Sequence, residues 1–158
     1  MNILVLGIGQ SFRGDDAAGL EATRMWQEMH PHMAGRVRVE ISELPGLGLL
    51  AYLTDVDAAI LVDAVQADSP AGTVIRVGPE ELASFTPDAQ SAHGWGVAET
   101  LQLGRSLYPN LLQIRMTLIG IVGQDFAMGA GLSSPVREAL GEAVKRIEAE
   151  VQELLVIQ

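Results

Sequence analysis

Four side chains in this sequence have the type and placement to do chemistry: Asp15, Asp16, Asp63 and His93. Asp15 and Asp16 are adjacent, and they follow the apolar run Ile3-Leu4-Val5-Leu6 through Gly7-Ile8-Gly9 and Gly14. Asp63 closes a second apolar run, Ile60-Leu61-Val62-Asp63-Ala64. A carboxylate there is costly to bury unless something pairs with it. His93 stands in the polar, glycine-bearing stretch Gln90-Ser91-Ala92-His93-Gly94-Trp95-Gly96. Histidine is the commonest side-chain metal ligand and a ready general base near neutral pH. Together Asp16, Asp63 and His93 offer two carboxylates and one imidazole. Two negative charges balance a divalent cation, and three ligands leave positions open for water or a substrate. A metal-centred catalytic site is therefore the chemical reading of the trio, with Asp15 read as the cap of the helix that follows. Two plainer readings stay open: Asp63 capping its own turn, and His93 as a surface loop residue.

These groups need a scaffold that brings distant segments to one edge. Strands are expected at Ile3–Leu6, Arg36–Ile41, Ala58–Asp63, Thr73–Val77 and Arg115–Ile121, each short, rich in Val, Ile and Leu, and bounded by Gly, Pro or charge. The first and third are almost continuously apolar, which suits central strands covered on both faces. A helix is expected from Asp15 to about Glu28, and another begins near His93 and runs through Val97, Leu101 and Leu107. The tail reads as a third, with Ser134 as N-cap, Pro135 at the first helical position, and Val136, Leu140, Val144, Ile147, Val151 and Leu154 forming one apolar stripe. Alternating strands and helices predict an α/β three-layer sandwich, a twisted, mainly parallel five-stranded sheet with helices on both faces. Thr73–Val77 is the candidate antiparallel strand, because Ala64–Gly72 is too short for a helical crossover. His30 and His32 fall at the other end of such a sheet and read as solvated loop.

The 158 residues fit one domain, 1–158, with a sizeable core. The lack of cysteine excludes disulfides, thiolate nucleophiles and cysteine-based zinc sites. A net charge of −10 argues against nucleic-acid wrapping, which needs clustered Lys and Arg. No stretch is long and apolar enough for a membrane span, and a strand starting at Ile3 leaves no room for a signal peptide, so a cytoplasmic protein is expected. No serine sits in a glycine-flanked nucleophile elbow. A dinucleotide site is the competing reading of Gly7-Ile8-Gly9. Phe12 stands where the third glycine belongs, however, and two acidic residues sit where a pyrophosphate would approach.

The stretches Ile3-Leu4-Val5-Leu6-Gly7-Ile8-Gly9, Gly14-Asp15-Asp16-Ala17-Ala18-Gly19, Ile60-Leu61-Val62-Asp63-Ala64, Ser91-Ala92-His93 with Gly96-Val97, and Leu118-Ile119-Gly120-Ile121 resemble the hydrogenase maturation proteases. The resemblance covers nearly the whole chain. It implies a twisted sheet between two helical layers, and an endopeptidase that trims the C-terminus of a [NiFe]-hydrogenase large-subunit precursor. It also implies that Asp16, Asp63 and His93 contact nickel. The nickel arrives in the precursor, so the enzyme alone should hold it loosely and work as a monomer when free. The ion would mark a loaded precursor and could act on the scissile carbonyl or a water. Gln10 replaces a frequent Asn, Glu43-Leu44-Pro45-Gly46 replaces Asp-Gly-Gly-Thr, and Gly123-Gln124 replaces Glu-Pro. These departures bear on which large subunit is recognised. Two other functions stay open to this sequence: a Rossmann-like nucleotide-binding module and a non-catalytic nickel-checking chaperone.

Overall fold

A computed structural model describes residues 1–43, 46–84 and 96–157. The chain runs β1 (Ile3–Ile8), a 3-10 turn (Gly14–Ala17), α1 (Ala18–Met29), a short α2 (Pro31–Ala34), β2 (Arg38–Ser42) and a 3-10 segment (Gly46–Leu53). It continues through β3 (Ala58–Val65), β4 (Val74–Val77), α3 (Pro79–Ala83), α4 (Val97–Leu107), a 3-10 segment (Pro109–Gln113), β5 (Arg115–Val122) and α5 (Ser134–Ile157). The strands form one sheet in the order β2-β1-β3-β5-β4. Among the described residues, only the β4–β5 pair is antiparallel. All five expected strands are present, and the short link after β3 does return antiparallel. β1 runs on past Leu6 to Ile8, so the chain turns at Gly9 and not at Gly7.

Strand alternation sorts the core into two layers. Ile3 and Val5, Ala58, Ile60 and Val62, and Ile119 and Ile121 face α1 and α5. Leu4 and Leu6, Ala59 and Leu61, and Met116 and Leu118 face the other way, under Leu49, Leu53, Leu82, Val97 and Leu101. The six-residue stripe predicted for the last helix is buried throughout on the first side. That helix starts one residue early: the Arg137 N–H bonds the Ser133 carbonyl, which puts Ser133, not Ser134, at the cap position.

Two features of this side were not legible in the sequence. Glu150 is buried on α5 and pairs with Arg76 of β4, clamping the edge strand to the helix layer. His30 is no solvated loop residue. Its ring stacks on Trp26 with centroids 6.4 Å apart, and its Nε2 lies 3.4 Å from Glu148 Oε2, while His32 falls in α2 and is exposed. Both histidines do lie at the amino-terminal edge of the sheet, away from Asp16 and Asp63. Among the described residues, no helix is long and apolar enough to cross a membrane.

Candidate active site

β1 leads to α1 on one face, whereas β3 leads by way of β4 to α3 and α4 on the other. Chains leaving neighbouring strands in opposite directions open a crevice between their carboxyl ends, the place where open α/β sheets bind ligands. Asp16 lies in the turn after β1, and Asp63 sits near the end of β3. The sheet order thus brings together two carboxylates that are far apart in sequence.

Two glycines make the approach close. Gly9 has φ +151°, and a Cβ there would lie 1.9 Å from the Asp16 carbonyl oxygen. A Cβ on Gly19 would lie 2.2 Å from the Val62 carbonyl oxygen and 2.6 Å from that of Ile8. The first turn of α1 therefore rests directly on the ends of β1 and β3, one residue short of Asp63. This contact occupies the glycine turn with protein and leaves acidic side chains at the start of the helix, which disfavours an approaching pyrophosphate. Gly19→Ala is expected to cost about 1–3 kcal/mol of stability by overpacking, as the start of α1 is pushed off the strand ends. Thermal melts check this; an unchanged Tm would mean that the helix start can give way.

Asp63 shares the strand face of Ala59 and Leu61, the side covered by α4, and keeps part of its surface open to solvent. Burial pushes its carboxyl well above the ordinary value of 3.8. The Asp16 carboxylate pushes the same way, and the Ala64 N–H opposes both. The Ala64 N–H bond is the contact that a capping role calls for, so Asp63 meets both a backbone donor and the like charge of Asp16. His93 lies outside the described residues; α4, the helix that follows it in sequence, covers the Asp63 face. Among the described residues, no group of three His, Asp or Glu side chains forms a metal set.

Asp15 is not the cap of α1. That helix begins after a 3-10 turn, with Ala17 at the cap position and no side-chain capping bond. The Asp15 carboxylate is fully buried and turns toward the segment after β5. Its Oδ2 accepts from the Gln124 N–H at 2.9 Å, the Asp125 N–H at 3.1 Å and the Ser133 hydroxyl at 2.8 Å, and its Oδ1 from the Ser133 N–H at 2.7 Å. Burial alone would raise its pKa, but the bonds from Gln124, Ser133 and Asp125 win and hold it below the ordinary carboxylate value. On the other side of the same loop, one Glu43 oxygen accepts both the Ser11 N–H and the Ser11 hydroxyl at 2.7 Å. Glu43 begins one of the departing loops, whose next two residues, Leu44 and Pro45, lie outside the described residues. The turn that carries Asp16 is thus braced from both neighbouring loops.

Comparison with known proteins fits this arrangement. The family model described as hydrogenase maturation protease matches residues 44–150. The chain is 28% identical to a putative hydrogenase maturation protease of Methanocaldococcus jannaschii, over 96% of this chain and 97% of that one. It is 25% identical to the hydrogenase 2 maturation protease of Escherichia coli, over 97% and 92%. The solved [NiFe] hydrogenase maturation protease HybD from Thermococcus kodakarensis superposes with a TM-score of 0.72 at 26% identity, covering 96% of this chain and 99% of that one. With well over half of the chain matched by the family model, this protein belongs to the hydrogenase maturation protease family.

Proposed function

We propose that the protein is a nickel-dependent endopeptidase that removes the C-terminal extension of a [NiFe]-hydrogenase large-subunit precursor after nickel insertion. The observation that carries this reading is the Asp16–Asp63 pair. Two carboxylates held together raise the energy of the free protein, and a divalent cation between them relieves it. In this reading Asp16, Asp63 and His93 are the catalytic groups and ligate nickel that the precursor brings on its own side chains. A ligand set divided between two proteins makes cleavage conditional on a loaded precursor. Nickel held there can polarise the scissile carbonyl or orient a water. The enzyme works in the cytoplasm as a monomer when free, with no nucleic-acid or membrane partner, in keeping with its net charge of −10.

The test is cleavage of a nickel-loaded large-subunit precursor beside the same precursor without nickel, read by intact mass. A C-terminal fragment released only from the loaded form is expected. Asp16→Ala and His93→Ala are expected to release none while keeping a cooperative thermal transition. Equal cleavage of both precursor forms would remove the nickel dependence. Wild-type turnover in both variants would remove the site assignment. Capture of the loaded precursor without shortening would point to a checking chaperone instead.

A further inference from the structure

Outside the last turn of α5, the two most exposed large apolar side chains of the described residues are Phe12 and Met128, each at 75% of full exposure. They come from different loops, the one after β1 and the one after β5, yet the Gly129 N–H bonds the Phe12 carbonyl at 2.7 Å, so the two stand on paired backbone. The pairing continues toward Asp16. The Gly14 N–H bonds the Ala130 carbonyl at 3.1 Å, and the Asp15 N–H bonds the Asp125 carbonyl at 2.7 Å. Beneath them the buried Asp15 carboxylate takes its four hydrogen bonds from Gln124, Asp125 and Ser133. A buried charge and three backbone bonds fix the loops that hold these two side chains in water. Isolated exposed apolar residues need no explanation, but two on a braced platform beside the catalytic turn present a preformed apolar surface.

We propose that Phe12 and Met128 form an apolar rim that seats an apolar side chain of the precursor segment entering the β1–β3 crevice. The inference rests on the proposed function, since a protease must lay its substrate chain across the rim of its own crevice. The rim adjoins Asp16 through the chain itself: Phe12 lies just before the Gly14–Ala17 turn. It acts in binding and takes no part in the chemical step. The occupant is therefore a polypeptide side chain and not the nickel.

The experiment is steady-state cleavage of the purified nickel-loaded large-subunit precursor by the full chain. Three forms are compared: wild type, Phe12→Ser with Met128→Ser, and a control pair, Leu107→Ser with Leu112→Ser. Leu107 and Leu112 are also exposed but precede β5, at the opposite edge of the sheet. Burial of one apolar group against the rim leads to an expected rise in KM of roughly tenfold for the rim pair. The expected kcat and Tm are those of wild type, the control pair should show wild-type KM, and Phe12→Leu with Met128→Leu should restore it. An unchanged KM in the rim pair, or an equal rise in the control pair, would overturn the rim. Absence of cleavage by wild type itself would overturn the proposed function, and the rim with it.

Discussion

Asp63→Asn is expected to bring precursor cleavage down to background and, at neutral pH, to make the free protein more stable than wild type. The two effects have one cause. The Asp63 carboxyl is held well above its ordinary value of 3.8 by burial and by the Asp16 charge. Between the ordinary value and the raised native one, the native protein therefore keeps a proton that the unfolded chain has already released. Wild-type stability falls as pH rises from about 3.8 through the raised native value, and the full penalty persists above it. Asparagine has no such proton, so the melting temperatures should agree in acid and separate as pH rises. Each unit of offset corresponds to about 1.4 kcal/mol, and in a chain of this size each kcal/mol moves Tm by about 2–4 °C. Melts of both proteins between about pH 4 and about pH 8 check the sign. A variant that melts below wild type at neutral pH would show Asp63 already compensated in the free protein, and the case for a cation-seeking pair would fall.

The same residue shows what a sequence can disclose and where it stops. A carboxylate ending a continuous apolar run is visible as an anomaly in composition, and strand alternation then fixes its face. The parallel sheet, the helical tail and the meeting of Asp16 with Asp63 follow from periodicities of two and three to four and from one rule about sheet edges. The capping expectation for Asp15 fails because its partners lie 109 to 118 residues away, where no local pattern reaches. Next to a helix start, the local rule for an aspartate is capping, and the long-range bonds overrode it. Glu150 is hidden from the sequence for a similar reason. It sits beside the buried Val151 in a helix full of exposed glutamates, and only the position of Arg76 on a strand 74 residues earlier singles it out. A charged residue adjoining a predicted apolar stripe is the signal that could have flagged it.

Removing the Asp15 carboxylate should produce the largest loss of stability in the molecule's working edge. Asp15→Ala leaves three backbone N–H groups and one hydroxyl facing a buried gap. Even if water reaches some of them, the unsatisfied donors should cost at least about 3 kcal/mol. That corresponds to a fall in Tm of about 6–12 °C. Asp15→Asn keeps the volume and, with its amide oxygen in the place of Oδ2, can still accept from Gln124, Asp125 and the Ser133 hydroxyl, but it sets an NH2 against the Ser133 N–H and removes the charge, so it should recover part of the loss and not all of it. The pH dependence runs opposite to that of Asp63. Because the native value of Asp15 is depressed, its contribution is complete above 3.8 and disappears as pH falls through the lower native value. Wild type and the asparagine variant should therefore converge in acid and differ most near neutrality. If Asp15→Ala melted within a degree or two of wild type, the bonds from Gln124, Asp125 and Ser133 would not be holding the loop after β5, and the platform that carries Met128 would have to be fixed by something else. If it melts low as expected, its activity below its own transition tells whether Asp16 depends on that brace. Turnover lost at temperatures where the variant is still folded would make Asp15 a positioning residue for its neighbour, whereas turnover retained there would leave it a structural bolt between two loops.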